Sequence, residues 1–177
     1  MNYAMIKWRD IADGPGLRVS LFVSGCRHHC KGCFNAETWD FAYGEPYTEA
    51  VQDSILRGLE KPYIRGLTLL GGEPMEPENQ PVMLALANAV RQRFPNKTIW
   101  CYSGYTLETD LLSGKLGNPE ITMALLKNID VLVDGEFHLE EKNPSLRFRG
   151  SDNQRLIDVP KSLARGKTVL WDGREEP

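Results

Sequence analysis

Three cysteines within eight residues constrain this chain more than any other feature. Cys26, Cys30 and Cys33 stand in the run Ser24-Gly25-Cys26-Arg27-His28-His29-Cys30-Lys31-Gly32-Cys33-Phe34-Asn35, with the spacing C-x3-C-x2-C. The fourth cysteine of the 177 residues, Cys101, stands far away in the chain. Clustering of this kind points to a metal centre rather than to cross-links, which belong to oxidising compartments. Three thiolates from one loop suffice for three corners of a cubane cluster, whereas an electron-transfer cluster takes a fourth cysteine. One iron would then stay open to a substrate or cofactor, as the open position of a catalytic zinc does. The competing reading is a structural zinc held by the three cysteines with His28 or His29. Such sites come as C-x2–4-C pairs from two chain segments, and here the second pair is missing. His28 and His29, squeezed between cysteines, read as solvated loop residues. Cys101 reads as a small hydrophobe packed in a strand.

The rest of the chain has the makings of an ordinary core. It is 41% hydrophobic and 25% charged, so it can fold without disulfides, and one domain over residues 1–177 is expected. The net charge of −3 and the scattered basic residues give no footprint for nucleic acid or an anionic membrane. The start, Met1 to Asp10, has no apolar leader, and no apolar run is long enough to span a bilayer. A cytoplasmic protein is expected.

Strand-like and helical runs alternate. Arg18 to Val23, Gly66 to Leu70, Thr98 to Tyr102 and Val131 to Val133 read as strands, with Arg155 to Val159 weaker and Thr168 to Leu170 a possible last one. Thr48 to Leu59 reads as a helix capped by Thr48. Val82, Leu86, Val90 and Phe94 mark a second helix, Thr106 to Leu112 a third, and Asn118-Pro119 opens a fourth. This alternation predicts an α/β fold with a mostly parallel sheet. The chain is short for a full eight-fold barrel, for which roughly 200 residues is the lower end, so an open, partial (β/α) barrel is expected. In such a sheet the chemistry lies at the carboxyl ends of the strands. The cysteines, Gly71-Gly72-Glu73, Ser103 and Asp134 all fall there.

The cysteine spacing, with an aromatic residue after the third cysteine, resembles the signature of the radical S-adenosylmethionine (SAM) superfamily. The resemblance implies a 4Fe-4S cluster on Cys26, Cys30 and Cys33, with SAM chelating the open iron and Gly32-Cys33-Phe34 lying against the adenine. Gly71-Gly72-Glu73 resembles the segment that receives the SAM amino group, and two glycines allow close backbone approach. Asp134, and more weakly Ser103, resembles positions facing the ribose, although a strand-ending Asp-Gly is also an ordinary turn.

Asp13-Gly14-Pro15-Gly16-Leu17-Arg18 reads as a tight turn before a strand and also resembles a stretch of the glycyl-radical activating enzymes. Together with Asn35-Ala36-Glu37-Thr38-Trp39, Val133-Asp134-Gly135-Glu136-Phe137 and Arg149-Gly150-Ser151-Asp152-Asn153-Gln154-Arg155, it is similar to the activating enzymes of anaerobic (class III) ribonucleotide reductases. The likeness runs from Asp13 to Arg155, and the tail from Leu156 departs from it. It implies a radical SAM fold and an enzyme that uses a 5′-deoxyadenosyl radical to make a glycyl radical on anaerobic ribonucleoside-triphosphate reductase. A flavodoxin or ferredoxin would supply the electron. No general acid or base is required, because cluster and SAM carry the chemistry. The alternatives are a small-molecule radical SAM enzyme such as 7-carboxy-7-deazaguanine synthase, an electron-transfer protein, or a zinc-binding module. The Asp13–Arg18 and Arg149–Arg155 stretches argue against the first.

Overall fold

A computed structural model of the protein describes residues 1–173. Its elements in chain order are β1 (Asn2–Asp10), β2 (Leu17–Val23), β3 (Glu45–Pro46), α1 (Glu49–Leu59), β4 (Ile64–Gly71), α2 (Gln80–Arg93), β5 (Thr98–Tyr102), α3 (Pro119–Leu126), β6 (Val131–Asp134), β7 (Arg155–Asp158) and α4 (Val159–Arg165). The strands form one open sheet in the order β3-β1-β2-β4-β5-β6-β7. Its middle, β2, β4, β5 and β6, is parallel, whereas β1 with β2, β1 with β3, and β6 with β7 are antiparallel. The expected parallel sheet is therefore confined to the middle, and both edges depart from it.

Alternation along the strands sorts the two faces. Val19, Leu21, Val23, Leu67, Leu69, Ile99, Cys101 and Leu132 point to one side and are buried with Ile55, Leu59, Met83, Leu86, Val90, Leu125 and Leu126 from α1, α2 and α3. Cys101, 0% exposed, belongs to that core. The helices start where local chemistry supplies caps. Thr48 Oγ1 accepts from Val51 N at the head of α1, and Asn118 Oδ1 accepts from Glu120 N at the head of α3, with Pro119 in the first turn. Asn79, at the head of α2, does not cap it. Its Nδ2 donates instead to Ser24 O and Glu73 O, tying the loops after β2 and β4 together.

Besides the short β3 and the helix α4, which the sequence reading did not include, three features differ from the expectation. The nine-residue β1, absent from it, forms a hairpin edge whose residues are mostly half-buried or exposed, so the strand lacks the strong apolar alternation that reveals a strand. The run from Thr106 to Leu112 winds as a short π-helical turn, Leu107–Leu111. Thr168 to Leu170 makes a single bridge, Leu170 to Ile157, not a strand.

Candidate active site

The loops after β2, β4, β5 and β6 converge at the carboxyl ends of the parallel strands, around a cavity of about 670 Å³. The cysteine loop is closed on itself by backbone bonds. Gly25 N donates to Thr38 O and Cys26 N to Trp39 O, so the turn Ala36–Trp39 returns beside the end of β2. Arg27 holds the loop from outside. Its backbone N–H donates to Glu76 Oε1 (2.8 Å), and its guanidinium pairs with Glu76 and Glu78.

Cys26, Cys30 and Cys33 are free thiols, and all three line the cavity. Burial pushes the Cys26 thiol up to about 12 and raises Cys30 as well. Metal binding must therefore drive off these protons, since thiolates are the ligands. Among the described residues no three His, Cys, Asp or Glu side chains are placed to hold a single metal ion. A cubane sets its thiolates on three different irons, farther apart than ligands of one ion. Three cavity-lining thiols from one loop fit that donor set.

Most of the other expected residues share the wall. Phe34, Gly71, Gly72, Glu73 and Ser103 line it, whereas Gly32 and Asp134 do not. Gly72, in the cavity wall, also packs against the cysteine loop. A Cβ there would lie 2.7 Å from Gly25 O and 2.9 Å from Thr38 O, so the glycine lets the β4 loop press against the backbone of the cysteine loop. Glu73 N donates to Gly25 O across the same seam. The Glu73 carboxylate is 1% exposed and well occupied: Oε1 accepts from Met75 N (2.8 Å), and Oε2 from Gly104 N (2.7 Å) and His28 Nε2 (3.0 Å). Asp134 is buried with both oxygens engaged, by Arg155 (2.9 and 2.5 Å) and by Leu107 N (2.9 Å). Its carboxylate fixes β7 and the π-turn rather than facing the cavity.

His28, read from the sequence as solvated, is instead a largely enclosed bridge. Its side chain is 10% exposed, with Nε2 3.0 Å from Glu73 Oε2 and Nδ1 2.9 Å from Glu136 Oε1. Burial alone would lower its pKa, but the hydrogen bonds and charges of Glu73 and Glu136 outweigh burial and lift it to about 9. Nothing nearby in sequence could have flagged it, because its two partners lie 45 and 108 residues along the chain. The polar stretch Arg149 to Arg155 braces the neighbouring loop. Asn153 Nδ2 donates to Glu136 O (2.8 Å) and Gln154 Nε2 to Gly135 O (3.0 Å), while Gln154 Oε1 accepts from Gly150 N and Ser151 N.

The far end of the cavity carries Asp13, Lys7, Phe22 and Phe148. Burial, then a hydrogen bond with Asp10 and the charge of Asp10, lift Asp13 to about 7. Phe148 holds a left-handed φ of 60°, a strained conformation for a bulky residue. It is held there by Tyr102 Oη, which donates to its carbonyl, and by the rings of Trp100 and Trp171.

Comparison with known proteins places the whole chain rather than single residues. Residues 12–157 match the family model of a 4Fe-4S single cluster domain. The chain is 45% identical over 157 residues to the anaerobic ribonucleoside-triphosphate reductase-activating protein of Vibrio cholerae, a match covering 87% of this chain and 96% of that protein. It is 42% identical to the proteins of the same name from Escherichia coli, over 87% of this chain and 96% of that one, and from bacteriophage T4, over 88% and 93%. No described helix is long and apolar enough to cross a membrane. With a three-cysteine loop opening on one cavity and relatives this close over most of its length, the chain belongs to the family of anaerobic ribonucleoside-triphosphate reductase-activating proteins.

Proposed function

We infer that the protein is a radical SAM enzyme that installs a glycyl radical on anaerobic ribonucleoside-triphosphate reductase. The observation that carries this is the placement of Cys26, Cys30 and Cys33 in one cavity wall with Gly71, Gly72 and Glu73, in a chain of this family. A bound 4Fe-4S cluster and SAM supply one-electron cleavage of the sulfonium, giving methionine and a 5′-deoxyadenosyl radical that takes a Cα hydrogen from the target glycine. The direction is favourable, because a glycyl radical is delocalised over the flanking amides and a primary alkyl radical is not.

The protein's own residues bind, orient and shield. Cys26, Cys30 and Cys33 would hold the cluster, with SAM bound beside it. Glu73 and the Gly71-Gly72 backbone order the wall where the SAM amino group would sit, Cys33 and Phe34 offer a face for the adenine, and Ser103 stands on the ribose side. The end of the cavity at Lys7, Asp13 and Phe148 is left for the glycine-bearing chain. The same reading takes residues 1–177 as a single domain with a radical SAM type of fold, working in the cytoplasm with a flavodoxin or ferredoxin as electron donor.

The test is an anaerobic mixture of the iron-loaded protein, the reductase, SAM and a reductant, followed by electron spin resonance. A doublet from a glycyl radical on the reductase is expected, absent when Cys26→Ala replaces the parent. SAM consumption with no radical on the reductase would point to another substrate, and no SAM consumption at all would overturn the reading.

A further inference from the structure

The cysteine loop, the loop after β4 and the loop after β6 meet at a single side chain. His28 sits between two cluster cysteines in sequence, yet its ring reaches Glu73 on one side (3.0 Å) and Glu136 on the other (2.9 Å). A fourth loop closes around it. Tyr105 packs its ring edgewise at 4.4 Å, and a Cβ at Gly104 would lie 2.6 Å from His28 Cδ2, so residue 104 must be glycine for the ring to fit. Gly104 N then donates to the same Glu73 oxygen that His28 holds (2.7 Å). Behind Glu136, Asn153 fixes the backbone carbonyl of that residue. The contacts therefore form one connected path, from Asn153 through Glu136 and His28 to Glu73 and Gly104.

We propose that His28 is the positioning residue of the SAM pocket, setting the Glu73 carboxylate and the Gly104 loop relative to the cysteine loop. Its ring lines the cavity wall beside Glu73 and acts through that carboxylate. Two charged hydrogen-bond partners make such a tie stronger than a neutral contact. Because it joins loops rather than strands, it orders the site without carrying the core.

The inference rests on the functional reading above, and the experiment separates the two. Iron-loaded parent, His28→Ala, His28→Gln and Glu136→Gln are compared for iron content and SAM dissociation constant. Amide hydrogen exchange is followed in the cluster-free proteins. All four are expected to load iron alike, since the cysteines are untouched. His28→Ala should bind SAM about tenfold or more weakly, the scale of a lost hydrogen bond to a charged group, with partial recovery in His28→Gln and a smaller loss in Glu136→Gln. In His28→Ala the amides of residues 27–33 and of Gly104 should exchange faster, while those of β2 and β4 keep the parent rate. Faster exchange throughout the sheet would make His28 a general stability residue and overturn the proposal, as would unchanged SAM affinity in His28→Ala. If His28→Ala does not fold, Glu136→Gln decides, because Glu136 is half exposed and its loss leaves the core intact: parent-like SAM affinity there sinks the proposal. A parent that takes up iron but never binds SAM defeats the functional reading instead.

Discussion

On the helix-covered side of the sheet, Leu21, Leu67, Leu69, Ile99 and Leu132 are buried among aliphatic side chains; one residue along the same strands, facing the other way, stand Arg18, Ser20, Thr68, Thr98 and Trp100. Arg18 is 0% exposed, and its guanidinium donates to Thr68 Oγ1 (2.7 Å), Thr98 Oγ1 (3.0 Å), Leu67 O (2.8 Å) and Thr98 O (3.0 Å). The first side is held by area removed from water and tolerates volume-conserving apolar swaps. The second is held by named donors and acceptors, where each missing partner leaves a buried group unsatisfied. The cysteine loop and the cavity belong to the second side, so the site rests on directional bonds and the fold on non-directional packing.

The sharpest way to test that division is to damage each side in turn. Leu69→Ala, in the aliphatic core, should lower stability by about 2–5 kcal/mol, read by urea unfolding, while the folded fraction still loads iron. Arg18→Ala should cost about 3 kcal/mol or more, because it strands two threonine hydroxyls and two carbonyls. It should also loosen the Asp13 turn, since Thr68 Oγ1, which accepts from Arg18, donates to Asp13 O. Equal tolerance of Arg18→Ala and a surface change would erase the distinction between the faces.

A smaller effect lies in the titration of the cavity end. Asp13, raised to about 7, keeps a proton in the folded protein that the unfolded chain has lost above its ordinary value of 3.8. Stability contributed by that proton is complete below about pH 4 and is lost as pH rises through 7. Asp10 moves the opposite way. Burial would raise it, but Asp13, the Ala12 N–H and the charge of Lys7 together lower it, so its contribution is lost only as pH falls below 3.8. Asp13→Asn should therefore leave the melting temperature near that of the parent at pH 5 and raise it at pH 8. A gain of about 1 kcal/mol there corresponds to about 2–4 °C for a chain of this size. A parent melting curve flat from pH 5 to 8 would contradict the shared-proton arrangement.

The smallest effect belongs to the tail. Trp171 packs edgewise on Trp100 at 5.0 Å, and its backbone N–H donates to Leu156 O. Trp171→Ala should lose the aromatic pair, worth about 0.5–1.5 kcal/mol beyond the area it buries. It should also free Phe148 from its left-handed backbone, visible as faster amide exchange at residues 146–149. Unchanged exchange there would show that Trp100 and Tyr102 hold Phe148 without the tail.

The same contrast explains what could be read in the sequence. Strands β2, β4, β5 and β6 and the heads of α1 and α3 follow from alternation and from caps such as Thr48 and Asn118, which are local signals. The cysteine loop was legible because its spacing is itself the chemistry. His28 was not, because a histidine in a loop has no pattern and its partners are brought up by folding. The partner of Asp134 was hidden for the same reason: Arg155, 21 residues away, is brought to its carboxylate by folding. Gly72 was recognised as a close approach, but what approaches is Gly25 O, which sequence alone does not reveal.

On the proposed function, three cysteines of one loop hold a cluster whose remaining iron is open to SAM, while Cys101 lies in the aliphatic core on the other side of the sheet. The most direct measurement is the electron spin resonance spectrum of the reduced, iron-loaded protein before and after SAM, for the parent and each single cysteine-to-alanine variant. The parent and Cys101→Ala should both show a cluster signal that SAM changes, and Cys26→Ala, Cys30→Ala and Cys33→Ala should show none. A Cys101→Ala variant that loses the cluster, or a parent signal indifferent to SAM, would contradict the claim.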